Sequence, residues 1–293
     1  MQNLIKAGLQ AVGTVSPRLG GRLAFELWRR PFARGKVRDS ERAVHDAARV
    51  EDVDGVVTYA WGDGRRPVLL VHGWRSRASR YAAFVDRLLE LGYSPVSYDA
   101  PGHGDTAGPV GTILDHQRII RGLEERHGPF EGVIAHSLGV PFALYAVREG
   151  VGAQRLVMIS GVAEFSYLVD AFCYQLGLGP KINKALRRSI ERAYFDGDDR
   201  IWTRFSVATG TADLLVIHND EDDVVHPRQA RVLLRNYGTR AQFFPTTGLG
   251  HRRIMTDPAV ITEAVAFLQD AEARSALPSD VPSDVSEGLD LSA

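Results

Sequence analysis

Short apolar segments rich in Val, Ile and Leu alternate with segments of helical periodicity along most of the chain. The apolar segments span residues 67–71, 94–98, 131–135, 155–160, 213–218 and 242–244. The helical segments span residues 80–91, 114–126, 140–149, 227–237 and 258–270. Nearly continuous apolar strands between helices predict an α/β fold, in which helices flank a mostly parallel, twisted sheet. Residues 53–61 predict an additional strand or hairpin at the sheet edge.

One interval between two predicted strands, residues 163–210, carries no strand pattern. Its aromatic residues are Phe165, Tyr167, Phe172, Tyr174, Tyr194, Phe195, Trp202 and Phe205. An insertion of this length has to lie over the sheet, so we predict a helical lid. The aromatic side chains either line an apolar acyl or alcohol pocket or form the core of the lid itself, and both interpretations stay open.

The two ends of the chain differ in charge. Residues 1–50 form a basic, amphipathic extension. Its apolar positions include Leu23, Phe25, Leu27 and Trp28. Residues 1–45 either contact a membrane surface or a partner, or form a helix docked by its apolar side on the main domain, and we favour the docked helix. Residues 271–293 are rich in Ser, Pro and Asp and predict a disordered acidic tail. The main domain is therefore expected at residues 51–270.

Bulk composition argues against several classes of protein. The chain has 293 residues, of which 44% are apolar and 24% charged, as in ordinary globular proteins. The net charge of −1 creates no overall field toward nucleic acid, so no nucleic-acid partner is expected. Cys173 is the single cysteine, which excludes an internal disulfide and suits the cytoplasm, the expected location. The chain has no apolar run of about 18 residues and no charged leader, so neither a spanning helix nor a secretion signal is expected.

Glycines and titratable residues cluster directly after most of the apolar segments. HGW at 72–74, DAPGHG at 99–104, HSLG at 136–139 and HNDEDD at 218–223 follow strands in turn, and GLGH at 248–251 follows the last candidate strand. Because the carboxyl ends of parallel strands meet at one edge of a sheet, these clusters are expected to lie close together. Any one of them also has a structural explanation, since glycines form turns and Asp, Ser or His cap helices.

The order of these motifs resembles the α/β-hydrolase superfamily over about residues 53–270, and is most similar to serine esterase and lysophospholipase-like bacterial members. The nucleophile of that family lies on a tight strand–turn–helix elbow, with small residues two before and two after it. The resemblance therefore implies that Ser137 is the nucleophile, flanked by Ala135 and Gly139. Ala135 stands where the family usually has glycine, and we expect the elbow to form with a slight change in turn geometry. An ordinary helix N-cap is the alternative role for Ser137.

The resemblance also implies the groups that assist Ser137. His251 matches the base of the family in chain order, and the spacing within the acidic loop selects Asp222, with Asp220 as second choice. The backbone N–H groups of Trp74 and Leu138 are the implied oxyanion-hole donors. The other histidines at strand ends, which we expect to stabilise loops, are His72, His103, His136 and His218. Neither a cofactor nor a metal site is expected.

The implied function is a serine hydrolase that cleaves carboxylic ester or thioester bonds of a small molecule through an acyl-enzyme. Two alternatives stay open: an acyltransferase that uses the same triad, and a non-catalytic binding module of the same fold. Four arginines flank the proposed site along the chain, namely Arg75, Arg77, Arg252 and Arg253. They either favour an anionic substrate or are solvated loop residues, which is the more common case.

Overall fold

The computed structural model describes residues 2–31 and 34–269, without the side chains of residues 2–7 and 14. The predicted tail at residues 271–293 lies outside the described residues. The helices are α1 Gln2–Val15, α2 Pro17–Trp28, α3 Asp39–Asp46, α4 Ala82–Glu90, α5 Ile113–His127, α6 Gly139–Arg148, α7 Tyr167–Gln175, α8 Pro180–Tyr194, α9 Ile201–Arg204, α10 Arg228–Tyr237, α11 Gly250–Arg253 and α12 Pro258–Gln269. The strands are β1 Arg49–Val53, β2 Val56–Ala60, β3 Pro67–Val71, β4 Ser94–Tyr98, β5 Gly132–His136, β6 Arg155–Ile159, β7 Asp213–Asn219 and β8 Ala241–Thr246.

The strands form one eight-stranded sheet in the order β1-β2-β4-β3-β5-β6-β7-β8. Strands β1 and β2 form an antiparallel hairpin at one edge, β2 is antiparallel to β4, and every later neighbour is parallel. The predicted α/β class, with helices flanking a mostly parallel sheet, is therefore confirmed. Strand β3 lies between β4 and β5. The chain therefore moves to one side of β3 to form β4 and then crosses to the other side to form β5. A crevice beyond the carboxyl ends of strands opens at such a switch point.

The central strands separate two hydrophobic cores because their side chains alternate between the two faces of the sheet. In β3, Leu69 and Val71 pack in the core that contains α5 and α6, whereas Val68 and Leu70 pack in the core that contains α4 and α12. All four side chains are fully buried. Burial on both faces is the reason that these strands read as continuous apolar runs in the sequence.

Helices α7, α8 and α9 form the insertion between β6 and β7. Several of its aromatic rings pack on one another: the ring centroids of Phe165 and Phe195 lie 5.3 Å from that of Phe205, and Tyr145 of α6 lies 5.0 Å from the same ring. Such edge-on and tilted pairs are typical of a packed core. These aromatic residues therefore form the core of the insertion, which was one of the two interpretations left open by the sequence.

The N-terminal helix α2 packs against α8 through small residues. An added Cβ on Gly21 would lie 2.8 Å from the carbonyl carbon of Ala185, and one on Gly20 would lie 2.9 Å from the Cα of Gly13 in α1. Glycine inside a helix costs about 1 kcal/mol relative to alanine, and here the close approach of the helices accounts for it. Within the part of the chain that the structure describes, no helix is long and apolar enough to cross a membrane.

Candidate active site

Ser137 lies in the sharp turn between β5 and α6. Its backbone has a φ of +56°, in the left-handed region that non-glycine residues rarely adopt. A conformation of this kind costs on the order of 1–3 kcal/mol and persists only where the surrounding structure holds it. The Ser137 N–H donates to the carbonyl of Ile159 at the end of β6, with an N···O distance of 3.0 Å, which ties the turn to the neighbouring strand.

The small residues around Ser137 allow strand and helix to approach closely. An added Cβ on Gly139 would lie 2.8 Å from the carbonyl carbon of Val71 and 2.9 Å from the carbonyl oxygen of His72. Ala135 is fully buried within β5, and its methyl group is accommodated while Ser137 keeps the left-handed conformation. Glycine is therefore required after the serine but not before it.

Gly139→Ala should lower the free energy of unfolding by about 3 kcal/mol or more, since the new methyl group meets the backbone of β3. The matched control is Gly122→Ala in α5, where an added Cβ has no atom within 4 Å. That substitution should instead stabilise the protein by about 0.5–1 kcal/mol. Chemical denaturation of the two variants checks the prediction, and equal stabilities would contradict it.

His251 connects Ser137 to Asp222. Its Nε2 lies 3.0 Å from Ser137 Oγ, and its Nδ1 lies 2.8 Å from Asp222 Oδ2. The side chain of Asp222 is fully buried, and His251 itself is nearly so. An ionised Asp222 has no proton to donate, so His251 Nδ1–H donates to it and Nε2 accepts the Ser137 hydroxyl proton. The structure thus brings together the three side chains that the sequence singled out, from the ends of β5, β7 and β8.

Asp222 is held in its ionised form by hydrogen bonds. Its Oδ1 accepts from the backbone N–H groups of Val224 at 2.9 Å and Val225 at 2.8 Å. Burial alone would raise the pKa of Asp222, but the hydrogen bond and charge of His251, together with these two N–H groups, outweigh it and hold the pKa below its ordinary value. The other acids of this loop, Asp220, Glu221 and Asp223, are exposed. Asp220 is hydrogen-bonded to Thr247 instead of His251.

Gly73 packs directly against the serine turn. An added Cβ on Gly73 would lie 2.8 Å from Ser137 Cβ and 3.2 Å from the backbone nitrogen of Leu138. The peptide that carries the Trp74 N–H is therefore next to the one that carries the Leu138 N–H. Among residues 2–31 and 34–269, neither N–H donates to another group. Two free donors beside a buried serine are suited to stabilise a developing negative charge on oxygen.

The base and the acid are positioned by three side chains that the sequence did not single out for the site. Asn219, at the position where the family usually has glycine, accepts through Oδ1 from the N–H of Gly250 at 2.9 Å and joins the acidic loop to the turn of His251. His136 Nε2 donates to the carbonyl oxygen of His251 at 3.0 Å. Tyr167 of α7 accepts from the His226 N–H at 2.9 Å. Of the three, His136 was expected from the sequence to stabilise a loop, and its contact with the turn of His251 agrees with that role.

The flanking arginines do not all behave as expected. Arg77 is buried, so it is neither a solvated loop residue nor a group that faces the serine. Its Nη2 lies 3.2 Å from Asp99 and 2.5 Å from Asp105, and these two carboxylates balance its charge. Arg253 is hydrogen-bonded to the carbonyl of Gly248, within its own turn. Arg77 thus stabilises the loops after β3 and β4.

Several histidines near the strand ends are buried and uncharged. His72 accepts the Ala100 N–H at Nε2, 3.0 Å away, so its Nδ1–H donates to the Gly73 carbonyl and joins the loops after β3 and β4. Burial lowers the pKa of His103 to about 4 and that of His136 to about 3, and it also lowers the pKa values of His72, His116 and His218.

These histidines should make the fold sensitive to acid. An unfolded imidazole binds a proton near pH 6.5, whereas His103 and His136 stay neutral to about pH 4 and about pH 3. Between these limits the unfolded state binds more protons, so the free energy of unfolding falls with decreasing pH, by up to about 1.4 kcal/mol per pH unit for each residue. Denaturation measured from about pH 7 to about pH 5 checks this slope. His103→Asn should reduce the slope, and an unchanged slope in this variant would contradict the prediction.

Among the described residues, no group of three His, Cys, Asp or Glu side chains is placed to hold a metal ion. The geometry itself supports the chemistry of Ser137, His251 and Asp222, together with the two free N–H groups. These groups suit nucleophilic attack on a carbonyl carbon.

The sheet order, the serine turn and the acidic loop define a protein of the α/β-hydrolase class. The chain belongs to the alpha/beta hydrolase family, whose model matches residues 68–265. It is 29% identical over 117 residues to the non-heme chloroperoxidase CPO-A1 of Kitasatospora aureofaciens, a match that covers 37% of this chain and 42% of that protein. The chain thus matches about two fifths of the length of that curated relative.

Solved structures share the fold at low sequence identity. The meta-cleavage product hydrolase CumD of Pseudomonas fluorescens IP01, in a mutant form complexed with acetates, superimposes with a TM-score of 0.56 at 20% identity, over 78% of this chain and 99% of that one. The esterase RhEst1 of Rhodococcus sp. ECU1013 superimposes with a TM-score of 0.53 at 16% identity, over 76% and 99%. Similarity at this level establishes the fold and leaves the substrate of this chain open.

Proposed function

We propose that this hydrolase-family protein is a serine esterase that cleaves carboxylic ester or thioester bonds through an acyl-enzyme. The observation that carries the proposal is the continuous hydrogen-bonded chain from Ser137 Oγ through His251 to buried Asp222. A serine hydroxyl becomes an effective nucleophile only when a positioned base takes its proton. Here the base is 3.0 Å away, and an ionised carboxylate fixes its tautomer.

In the first half of the proposed reaction, Ser137 Oγ attacks the carbonyl carbon of the substrate while its proton passes to His251 Nε2. The negative charge that develops on the carbonyl oxygen is stabilised by the N–H groups of Leu138 and Trp74. Asp222 stabilises the imidazolium without taking its proton. Collapse of the tetrahedral intermediate breaks the bond to the leaving group, which departs as an alcohol or thiol with the proton of His251.

In the second half, a water molecule gives a proton to His251 and adds to the acyl carbon. Collapse of this second intermediate releases the carboxylic acid and returns the proton to Ser137. An alcohol in place of water would give acyl transfer, and hydrogen peroxide would give a peracid, an acceptor that the similarity to a chloroperoxidase makes worth testing. Competition of methanol or peroxide with water, read out as product ratios, separates these outcomes.

Labelling with a fluorophosphonate probe tests the proposal directly. Intact mass spectrometry should show one adduct on the folded protein and none on Ser137→Ala. The matched control is Ser160→Ala, because Ser160 is also buried and has a φ of +47° after the neighbouring strand β6. That variant should be labelled like the parent protein. A folded parent protein that is not labelled would reject the proposal in favour of a non-catalytic module.

A further inference from the structure

Helices α2 and α8 lie side by side and form one continuous outer surface. Gly20, Gly21 and Ala24 of α2 are buried, and Gly21 faces Ala185 of α8. The opposite side of α2 faces solvent. There Arg22 and Leu23 line the same shallow groove as Ser189 and Arg192 of α8. We call the solvent-facing side of these two helices the α2–α8 face.

The α2–α8 face exposes large apolar side chains. Leu19 is 49% exposed and Leu23 is 43% exposed, although both are at positions where a polar side chain would be equally compatible with the helix. Their spacing of four residues places them on one side of α2. Val15, at the end of α1 and four residues before Leu19, is 88% exposed. Val15 belongs to α1 and is separated from α2 by the extended residue Ser16, so helical spacing aligns only Leu19 and Leu23.

The exposed positions of the two helices carry an excess of positive charge. Their exposed basic residues are Arg18, Arg22, Lys181, Lys184, Arg188 and Arg192. Of these, Arg22 and Arg192 line the groove beside Leu23. Within the described part of the chain, none of these six forms an ion pair. The acids on the two helices are already engaged: Glu26 pairs with Arg29 and Arg30, and Glu191 accepts from the indole of Trp202. The charge of the face is thus not neutralised by its own helices.

We propose that the α2–α8 face docks on an anionic membrane surface. Exposed leucines flanked by arginines are what an interfacial helix presents, since the leucines enter the boundary of the acyl region while the cations meet lipid phosphates. The net charge of the whole chain is only −1, so the attraction comes from this local concentration and not from the protein as a whole. Docking does not depend on the proposed esterase activity.

Two other occupants fit the face less well. A second copy of the chain in a symmetric contact would bring two sets of six unpaired cations together, which is unfavourable. A nucleic acid would engage the cations through its phosphates, but it would leave Leu19 and Leu23 without an apolar partner. An anionic bilayer satisfies both the charge and the apolar side chains.

Vesicle co-sedimentation of the full chain tests the proposal. The protein should sediment with vesicles that mix phosphatidylcholine and phosphatidylglycerol, should not sediment with phosphatidylcholine alone, and should be released by salt. Arg18→Gln/Arg22→Gln should weaken binding about 25-fold, since each cation near such a surface contributes roughly fivefold. Leu19→Ser/Leu23→Ser should weaken binding at least about 10-fold at low salt.

Matched controls separate docking from general charge effects and from misfolding. Arg231 and Arg235 of α10 are also exposed and also four residues apart, so Arg231→Gln/Arg235→Gln should bind vesicles like the parent protein. Leu89→Ser, at an exposed position of α4, is the control for the leucines. Thermal unfolding verifies that each variant is folded.

Three outcomes would overturn the proposal. They are equal binding to neutral and anionic vesicles, equal loss of binding in the α2 and α10 double variants, and sedimentation without vesicles. Duplex DNA that binds at the same salt and is released by Arg18→Gln/Arg22→Gln but not by Leu19→Ser/Leu23→Ser would assign the face to a polyanion instead. Because these readouts involve no turnover, a Ser137→Ala protein should give the same binding as the parent.

Discussion

Ser137→Ala should lower kcat/KM for ester hydrolysis by about 10⁴-fold or more, the largest effect expected of any single substitution in the chain. Without Oγ no acyl-enzyme forms, and His251 loses the hydroxyl that it holds at 3.0 Å. The free N–H groups of Trp74 and Leu138 remain in place, so a small residual rate above that in water is expected. Initial rates on a panel of esters with graded acyl length measure the loss.

The Ser160→Ala variant serves as a matched control for this loss. Ser160 resembles Ser137 in its burial, its positive φ and its position after a parallel strand, but its hydroxyl has no hydrogen-bond partner in the described part of the chain. Its removal should leave kcat/KM within about twofold, because no reacting group depends on it. A comparable loss in both variants would indicate damage to the strand ends rather than loss of a nucleophile.

The central strands could be predicted from the sequence because burial on both faces leaves a continuous apolar pattern. Segment 67–71, for example, coincides with β3. The position of β3 between β4 and β5 could not be predicted in this way, since it depends on pairing between segments that are distant along the chain.

The candidate site was predictable to the extent that it depends on order and spacing. Spacing selected Asp222 over Asp220, and the structure places Asp222 against His251 while Asp220 faces solvent. The hydrogen bond from Gly250 to Asn219 could not be predicted, because two loops 31 residues apart meet only once the sheet has formed. Asn219 replaces a usual glycine, and this contact gives the replacement a physical reason.

Proximity along the chain misled the interpretation of Arg77. It follows the HGW motif closely, but its side chain turns away to the buried carboxylate of Asp99. Buried charges need partners, and the partner here comes from the next strand. The exposure of Leu19 and Leu23 on α2 could likewise not be predicted, because the sequence does not reveal which side of the helix is covered by α8.

Asp222→Asn should lower kcat/KM by about 10³- to 10⁴-fold although the side chain keeps its shape. The oxygen Oδ1 accepts from the N–H groups of Val224 and Val225. An asparagine must keep its carbonyl oxygen there, so its NH₂ group replaces Oδ2 and faces His251 Nδ1. An amide donor at this point requires Nδ1 to be an acceptor, which moves the imidazole proton to Nε2.

The imidazole of Asp222→Asn then presents N–H instead of a lone pair to Ser137 and cannot take its proton. Asp220→Asn is the control, because Asp220 is exposed and is hydrogen-bonded to Thr247, and it should retain full activity. Because the pKa of Asp222 is held below its ordinary value, the parent protein keeps this carboxylate ionised in mild acid. Rates of both variants across the pH range, with labelling by the fluorophosphonate probe, measure the effect. If Asp222→Asn retained the rate of Asp220→Asn, the acid of the site would lie elsewhere, and the tautomer of His251 would be fixed by another group.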